Sequence, residues 1–540
     1  MAKIILNNQE VETREGIPVL QAALEAGLNV PHYCYHPGLS VVASCRLCLM
    51  EMKMPHPKTG ELGWAPKLMP SCQTPVRDGM EVRFDSDKVH ENQERCMEFF
   101  LLNHPLDCPV CDQAGECHLQ DYSYHFGKSE SRMVDQKHVT PKKDVGPRTL
   151  LYSDRCVMCS RCVRFCDEVA GTGELCITNR GSKAEIDAFP GKPLDNPMQG
   201  NVVDICPVGC LLDKDFLFQQ RVWFLKSADS ICTGCSTGCS IRIDQNEDHV
   251  HRLKPRFNPR VNQWWMCDEG RFGFKYIHDK NRLTRLRLRR GESFESLRWE
   301  SLAETVRYRF ENIAKKQSDK KIAVVLSPFM ACEEAWLLVK TIREVAPEAT
   351  LVLGPVPTVE QDERFPVGAT NGDTKFIIRK EKCPNRNGIE LIIKHFGGNT
   401  ETFDAFVEQA GAGEFAAAWI SGGYPTEWVG KDFAKAAGKI PFKVVHDLFG
   451  SALTEEATLV IPACSFAERD GTFVNATGVV QPFARAIKPP QGCKRDGQFF
   501  YELAELEGLY QSPTVLGMMA AEIDEFKEVY VPPQLPEHQH

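Results

Sequence analysis

Residues 156–166 read CVMCSRCVRFC, which places cysteines at positions 156, 159, 162 and 166, and Cys206 is followed directly by a proline. A C-x2-C-x2-C-x3-C run with a Cys-Pro pair is a spacing that holds iron-sulfur clusters. Only one complete run of this kind is present. The segment therefore predicts one 4Fe-4S cluster, and the remaining cysteines of the chain have to be grouped around it.

The most economical grouping gives this cluster four ligands and leaves Cys166 and Cys210 spare. The predicted ligands are Cys156, Cys159, Cys162 and Cys206. In two-cluster ferredoxins the fourth cysteine of each run serves the other cluster. A second cluster on Cys166, Cys176 and Cys210 is less favoured because it lacks a fourth partner; otherwise these three are buried free thiols.

Cysteine usage along the whole chain supports metal chemistry. Of 23 cysteines in 540 residues, 19 lie within residues 1–267. The sequence shows no signal peptide and no apolar run of membrane-spanning length, so we expect a cytoplasmic chain in which this density is not a disulfide framework. A net charge of −9 argues against a nucleic-acid-binding protein.

Two further sets precede the run. The first predicts a 2Fe-2S cluster on Cys34, Cys45, Cys48 and Cys72, with a zinc ribbon or loose thiols as the alternatives. The second, His104, Cys108, Cys111 and Cys117, fits either one zinc ion or a 4Fe-4S cluster by spacing alone, and its neighbours favour the cluster. An imidazole in place of one thiolate would make that cluster less negative and raise its potential.

A fourth set follows the run, with the spacing C-x2-C-x3-C-x27-C. It comprises Cys232, Cys235, Cys239 and Cys267 and predicts a further 4Fe-4S cluster, with zinc as the alternative. Four clusters need sixteen ligands, which fifteen cysteines and His104 supply. The cysteines left over are Cys96, Cys166, Cys176, Cys210, Cys332, Cys383, Cys464 and Cys493.

The order of these sets resembles that in the large iron-sulfur subunit, the G subunit, of respiratory NADH:quinone oxidoreductase (complex I). The matching motifs are C-x10-CRLC at 34–48, HPLDCPVCD at 104–112, DRC at 154–156 and CPVG at 206–209. The resemblance implies three clusters on an electron path and a fourth, on Cys232, Cys235, Cys239 and Cys267, off that path.

The second half is similar to the molybdopterin oxidoreductase domain. The matching segments run from WWMC at 264–267 to Arg282-Leu283, then EEAW at 333–336 and ERDGTFVN at 468–475 up to Gln481. Residues 355–389 offer only Cys383, in a polar context, as a metal ligand, and we expect no final domain to enclose a pterin. The expectation is a scaffold without molybdopterin.

The predicted fold class is α+β and multidomain, with a truncated α/β domain at the end. The domains are a β-grasp 2Fe-2S ferredoxin-like domain (1–84), a one-His/three-Cys 4Fe-4S domain (85–125), a ferredoxin-like 4Fe-4S domain (140–220), a molybdopterin-oxidoreductase-type 4Fe-4S domain (225–284) and a degenerate molybdopterin-oxidoreductase-like α/β domain (285–540).

Local patterns add smaller predictions. They comprise a hairpin over 4–14, helices over 19–26 and 90–102, a loop over 55–70, and buried strands at 322–326, 350–353, 416–420, 444–445 and 458–461. The GAGEFA segment at 411–416 fits a dinucleotide fingerprint by letter, but it precedes a strand instead of following one. We interpret it as a loop and expect neither FMN nor NAD on this chain.

The resemblance implies an electron-transfer subunit without a complete active site of its own. Its partners would be a flavin- and NADH-binding subunit, other hydrophilic complex I subunits and, indirectly, the membrane arm, at the cytoplasmic face of the bacterial inner membrane. The alternatives are a soluble NAD-linked hydrogenase or formate dehydrogenase complex and a genuine molybdenum or tungsten enzyme. Arg46, Arg155, Arg161 and Arg164 either offset thiolate charge or are solvated cations.

Overall fold

The amino-terminal hairpin forms where the sequence predicts it. The structure is a computed structural model that describes residues 1–55, 58–291, 293–370 and 372–534. The chain divides into two compact units. Unit 1 contains residues 1–225 and 364–376, and unit 2 contains residues 226–363 and 377–532.

Unit 1 is built from short strands and helices. Its strands are β1 (Ala2–Leu6), β2 (Gln9–Thr13), β3 (Leu49–Pro55), β4 (Leu62–Trp64), β5 (Met69–Pro70), β6 (Glu81–Arg83), β7 (Lys142–Asp144), β8 (Thr149–Tyr152), β9 (Leu175–Thr178), β10 (Glu185–Ala188) and β11 (Leu211–Asp213). Its helices are α1 (Val19–Glu25), α2 (Asp87–Leu101), α3 (His118–Phe126), α4 (Arg161–Phe165) and α5 (Asn201–Asp204).

The first sheet has the strand order β2-β1-β6-β3-β4, with β5 also paired to β3. Along β1 the residues alternate between buried and exposed, and Ile4 and Leu6 pack in one core with Val19 and Leu20 of α1. Alternation of period two is the pattern of a strand with one buried face. The predicted hairpin and the predicted first helix are both confirmed.

The loop predicted over 55–70 is wrong in part, because β4 and β5 lie inside it; residues 56–57 are outside the described part of the chain. Trp64 pairs with Lys53 of β3, and the Arg83 guanidinium lies 4.1 Å from the Trp64 ring centroid. A cation over an aromatic face stabilises such a contact. The prolines of this stretch therefore do not prevent strand pairing.

Unit 2 begins with an antiparallel meander and continues into an α/β fold. Its strands, with two that lie at the unit boundary (β19 and β20), are β12 (Lys226–Ile231), β13 (Ser240–Asn246), β14 (His249–Pro255), β15 (Arg287–Arg290), β16 (Ser293–Ser296), β17 (Lys321–Leu326), β18 (Thr350–Leu353), β19 (Glu363–Phe365), β20 (Phe376–Ile378), β21 (Thr400–Glu401), β22 (Phe415–Ser421), β23 (Phe442–Asp447), β24 (Leu459–Pro462), β25 (Gly471–Val474) and β26 (Val480–Phe483). Its helices are α6 (Asp268–Phe272), α7 (Leu302–Lys316), α8 (Cys332–Val345), α9 (Arg386–Phe396), α10 (Phe403–Ala412), α11 (Lys431–Ala437), α12 (Ala452–Glu456), α13 (Asp496–Leu503) and α14 (Ser512–Glu522).

The main sheet of unit 2 has the order β16-β15-β24-β23-β22-β17-β18-β21. Strands β24 to β21 in this order pair in parallel, whereas β15 and β16 extend the sheet antiparallel. Parallel strands buried by helices on both faces read as continuous apolar runs, which is why β17, β18, β22, β23 and β24 are predictable from the sequence. The predicted mixed, multidomain fold with a final α/β domain is confirmed.

The loop predicted at 411–416 is mostly not a loop. Helix α10 continues to Ala412, Gly413 ends it with φ of 79°, and β22 starts at Phe415. Glycine is favoured there because the left-handed conformation at a helix end has no Cβ penalty. The segment is a helix terminus before a strand, an arrangement different from a dinucleotide-binding turn. Among the described residues, no helix is both long and apolar enough to cross a membrane.

Unit 2 holds a buried, bidentate ion pair whose loss should be costly. The Arg282 guanidinium donates to both carboxylate oxygens of Glu468 at 2.5 and 2.7 Å, and both side chains are 2% exposed. We expect Glu468→Ala to lower the free energy of unfolding by about 3–5 kcal/mol in urea denaturation, because it strands a buried cation. Glu311→Ala, which removes an exposed partner of Lys315, is the control and should change stability little. Equal effects of the two substitutions would contradict the prediction.

Candidate metal centres

The first predicted set comes together in unit 1. Cys34, Cys45, Cys48 and Cys72 are all buried, and the sulfurs of Cys34 and Cys45 are 3.5 Å apart. Cys72 contacts the thiols of both Cys34 and Cys48. Thiol hydrogen bonds from Cys45 and then Cys72 hold the pKa of Cys34 below its ordinary value. The turn between Cys45 and Cys48 depends on Arg46, whose φ is 60°.

The second predicted set lines one cavity of about 440 Å³ in unit 1. His104 follows α2, Cys108 begins a 3₁₀ turn that ends before Cys111, and Cys117 precedes α3. Burial and then the charge of Arg155 lower the pKa of His104 to about 4. The imidazole is therefore neutral at pH 7, which is the form that ligates a metal. Burial raises the pKa of Cys117 to about 12.

This cavity is completed by residues from the third site's loops. Arg155, next to Cys156, donates to Asp107 at 2.6 and 3.0 Å and to the Gly209 carbonyl at 3.3 Å. Gly209 itself presses against Cys111, since a Cβ built on Gly209 would lie 2.2 Å from the Cys111 sulfur. The ion pair and the glycine thus hold the second and third loops together.

The third predicted set lines a small, closed pocket, which Cys210 shares. The cysteines that line it are Cys156, Cys159, Cys162, Cys206 and Cys210. The loop winds through left-handed residues at Met158 and Ser160, with φ of 50° and 58°, before α4 begins. Cys206 accepts backbone N–H groups from Val208, Cys210 and Leu211. Such donors are typical around sulfurs that ligate iron.

The three spare cysteines of this region have separate surroundings. Cys210 contacts the thiols of Cys156 and Cys206, Cys166 lies beside the Glu174 carboxylate, and the Cys176 thiol is 3.7 Å from the Asp187 carbonyl. Sequence reasoning treated Cys210 as a spare thiol and missed its contact with two predicted ligands. The CPVGC spacing, which places Cys210 four residues after Cys206, is the signal that the sequence offers.

The fourth predicted set lies in unit 2. Cys232, Cys235 and Cys239 occupy the connection between β12 and β13, and Cys267 caps α6, where its sulfur accepts the Gly270 N–H at 3.4 Å. All four are buried. A Cβ on Gly270 would lie 2.6 Å from the Cys232 sulfur. Four thiols from two segments therefore converge where only a glycine fits.

Lys382 and Cys383 lie close to this fourth set. Lys382 pairs with Glu269 at 2.5 Å, and Cys383 is fully buried against Phe329 and Tyr424. The neighbours of Cys383 in the sequence are polar, and Glu381 and Arg386 act on its thiol, but the side chain itself packs among aromatic rings. Among the described residues, no three His, Cys, Asp or Glu side chains form a group suited to a single metal ion.

The four arginines singled out by sequence differ in burial. Arg155, Arg161 and Arg164 are buried, and Arg46 is exposed. The interpretation of solvated cations is thus wrong for the first three. Their guanidinium groups bond to backbone carbonyls and carboxylates around the sites, which a sequence pattern cannot show.

Several family models match the chain in the order of the four sets. They are a 2Fe-2S iron-sulfur cluster binding domain (1–87), the NADH-ubiquinone oxidoreductase-G iron-sulfur binding region (93–132), the NADH-quinone oxidoreductase subunit 3 ferredoxin-like domain (146–212), the molybdopterin oxidoreductase Fe4S4 domain (225–279) and molybdopterin oxidoreductase (397–506). The first four of these models support 2Fe-2S and 4Fe-4S clusters, the two cluster types that the spacing predicts.

Curated relatives agree with the family models. The G subunit of NADH-quinone oxidoreductase from Rickettsia conorii is 36% identical over 345 residues, which are 63% of this chain and 49% of the relative. The NADH-ubiquinone oxidoreductase 75 kDa subunit of Reclinomonas americana is 32% identical over 363 residues, which are 67% of this chain and 50% of the relative. The chain thus spans about half the length of these relatives.

One solved structure matches over part of the chain. A NAD+-reducing [NiFe]-hydrogenase in the H2-reduced state has a TM-score of 0.36 and 28% identity, and the match covers 41% of this chain and 91% of the hydrogenase chain. The similarity to known proteins rests on the sequence relatives and on the order of the iron-sulfur domains. In both respects, the chain resembles the G subunit of NADH-quinone oxidoreductase.

Proposed function

We propose that this chain binds one 2Fe-2S and three 4Fe-4S clusters and relays single electrons from a flavin- and NADH-binding partner toward quinone. The observation that carries the proposal is the gathering of four predicted donor sets, three in unit 1 and one in unit 2. The proposed ligands are Cys34, Cys45, Cys48 and Cys72 (2Fe-2S); His104, Cys108, Cys111 and Cys117; Cys156, Cys159, Cys162 and Cys206; and Cys232, Cys235, Cys239 and Cys267 (4Fe-4S each).

The residues present fit these groups. Fifteen thiols and one neutral imidazole are the donor types that iron-sulfur clusters take. The close approach of Gly209 to Cys111 and of Gly270 to Cys232 leaves space for sulfur and none for a side chain. When bound, the clusters supply one-electron redox chemistry, with potentials set by ligand charge, hydrogen bonds and burial.

The protein's own part in the relay is positioning and electrostatics. Burial keeps water from most of the donor thiols; Cys108 is exposed and Cys156 is half-buried. Buried Arg155 places a positive charge beside His104 and Cys111. A nearby cation favours the reduced, more negative state of such a site. None of this requires a general base or nucleophile, so we propose no complete active site on this chain.

We further propose that unit 2 carries no molybdopterin. In open α/β sheets, ligands bind beyond the carboxyl ends of the strands, and phosphates take free backbone N–H groups there. At the end of β22 the Gly423 N–H donates instead to Asp447, at 2.8 Å, and the same carboxylate accepts from Trp428 at 2.9 Å. A buried carboxylate in that place would repel a phosphate.

The five predicted domains, the complex I partners and a peripheral place at the cytoplasmic face of the inner membrane are part of the same proposal. The switch from unit 1 to unit 2 after Leu225 falls next to the proposed boundary between the third and fourth domains. The segment 364–376 joins unit 1, where Val367 donates to the Ala170 carbonyl at 2.9 Å. The proposed α/β domain thus contributes one segment to unit 1.

Metal analysis and co-purification test the proposal. Anaerobically reconstituted protein should contain about fourteen iron atoms per chain and show both cluster types by electron paramagnetic resonance. The chain should co-purify with membrane subunits of an NADH:quinone oxidoreductase. Zinc at the His104 site would lower the iron content by about four. Co-purification with soluble hydrogenase or formate dehydrogenase subunits would overturn the proposed partners.

A further inference from the structure

Two buried arginines of α4 connect the loop of the first site to the third site. Nη2 of Arg164 donates to the carbonyl of Cys34 and, at 3.2 Å, to the carbonyl of Cys159. Its other terminal nitrogen donates to the Ser40 carbonyl. One guanidinium group therefore bonds the peptide groups of a proposed ligand in each of two sites.

Arg161 makes a parallel connection one turn earlier in the same helix. Its guanidinium donates to the Tyr35 carbonyl at 2.5 Å and to the Ile205 carbonyl at 3.1 Å. Tyr35 follows Cys34, and Ile205 precedes Cys206. The two arginines thus bond the loop of the first site at two points and reach two different segments of the third site, each time at or beside a proposed ligand.

The bridge is inside the protein. Arg161 and Arg164 are 3% and 7% exposed, and their guanidinium groups donate to backbone carbonyls and to the Ser160 hydroxyl. Burying a guanidinium group against neutral acceptors is costly unless its charge is used elsewhere. The Glu168 carboxylate acts on Arg164, and proposed clusters on either side, held by thiolates, would supply further negative charge. The planar fork of arginine, with five N–H donors, can reach both loops at once, whereas lysine cannot.

We propose that Arg164 is a positioning residue that fixes the separation of the clusters at the first and third sites and raises the reduction potentials of both. The inference rests on the proposed function and deepens it. A buried cation favours the more negative, reduced state of each site, and bonds to ligand carbonyls fix the geometry of both loops. One side chain then influences both the potentials of the two proposed clusters and the distance over which an electron would pass between them.

Potentiometric titration followed by electron paramagnetic resonance tests this in the full-length, reconstituted protein. In Arg164→Met, both midpoint potentials should fall by about 59 mV, equivalent to a tenfold change in each one-electron reduction equilibrium. In Arg164→Lys, which keeps the charge, both potentials should stay near wild type, while the spin-spin interaction between the two reduced clusters weakens. Arg148→Met, which removes the partner of Asp215, is the control and should leave both properties unchanged.

The outcomes separate this inference from the proposed function. A wild-type protein without cluster signals would defeat the proposed function, whatever the variants do. With clusters present, unchanged potentials in Arg164→Met, or a shift at one of the two sites alone, would overturn the inference. If Arg164→Met does not retain iron, Arg164→Lys decides: an unchanged spin-spin interaction in that variant overturns the inference, and a weakened one supports it.

Discussion

Replacement of Gly209 by alanine is expected to remove about four iron atoms per chain, and these should come from the His104 site. The new methyl group would lie 2.2 Å from the Cys111 sulfur and 3.1 Å from Cβ of Gln113. Side-chain carbons essentially never approach other atoms below 3.0 Å. The Cys111 sulfur would have to leave its place among the other three donors, so the cluster should fail to assemble.

This prediction is informative because Gly209 belongs by sequence to the third site, three residues after Cys206. Iron analysis should be combined with electron paramagnetic resonance, which distinguishes the signals of the separate clusters. Gly63→Ala is the matched control in the same unit, since a Cβ there meets no atom within 4 Å. Loss of the third site's signal, with the His104 site intact, would contradict the close approach of Gly209 to Cys111.

The second large effect concerns the choice between two neighbouring cysteines. Cys206→Ala should abolish the 4Fe-4S cluster of the third site, again with a loss of about four irons, whereas Cys210→Ala should retain it. The reason is the environment of the sulfurs: Cys206 accepts three backbone N–H groups, from residues 208, 210 and 211. Cys210, by contrast, meets the thiols of Cys156 and Cys206.

The double variant Cys206→Ala/Cys210→Ala completes the experiment. It should match Cys206→Ala in iron content and in the loss of one resonance signal. If the single Cys206 variant keeps all of its iron and the double variant does not, Cys210 can serve as the fourth ligand. The assignment of Cys206 alone would then be wrong.

Much of the candidate chemistry was predictable because the ligands of a cluster are near neighbours in sequence. Spacings such as 156–159–162 bring sulfurs together through local backbone geometry, so the pattern predicts the site before any fold is known. The distant members Cys72, Cys206 and Cys267 are harder, because only economy in the use of ligands assigns them, although the quoted motifs of the resemblances include Cys206 and Cys267. Strands of the α/β domain were predictable because buried parallel strands are continuous apolar runs.

Contacts between loops far apart in sequence were not predictable. The loop expected over 55–70 pairs with β3 through Trp64, and the segment 364–376 joins unit 1. Arginines near cysteines looked equally compatible with solvent or with a site, since sequence does not give burial. For Arg164, burial and three carbonyl acceptors exclude the solvated alternative.

The amino-acid sequence by itself determined the donor types and predicted their grouping into sets and the order of the domains, because these depend on residue identity and short spacing. Only the tertiary structure decided which residues of one site approach another, as Gly209 of the third site approaches Cys111 of the second. It also decided which guanidinium groups lie between sites. Hydrogen bonds and steric exclusion act over a few ångströms in space, and separation along the chain carries no record of them.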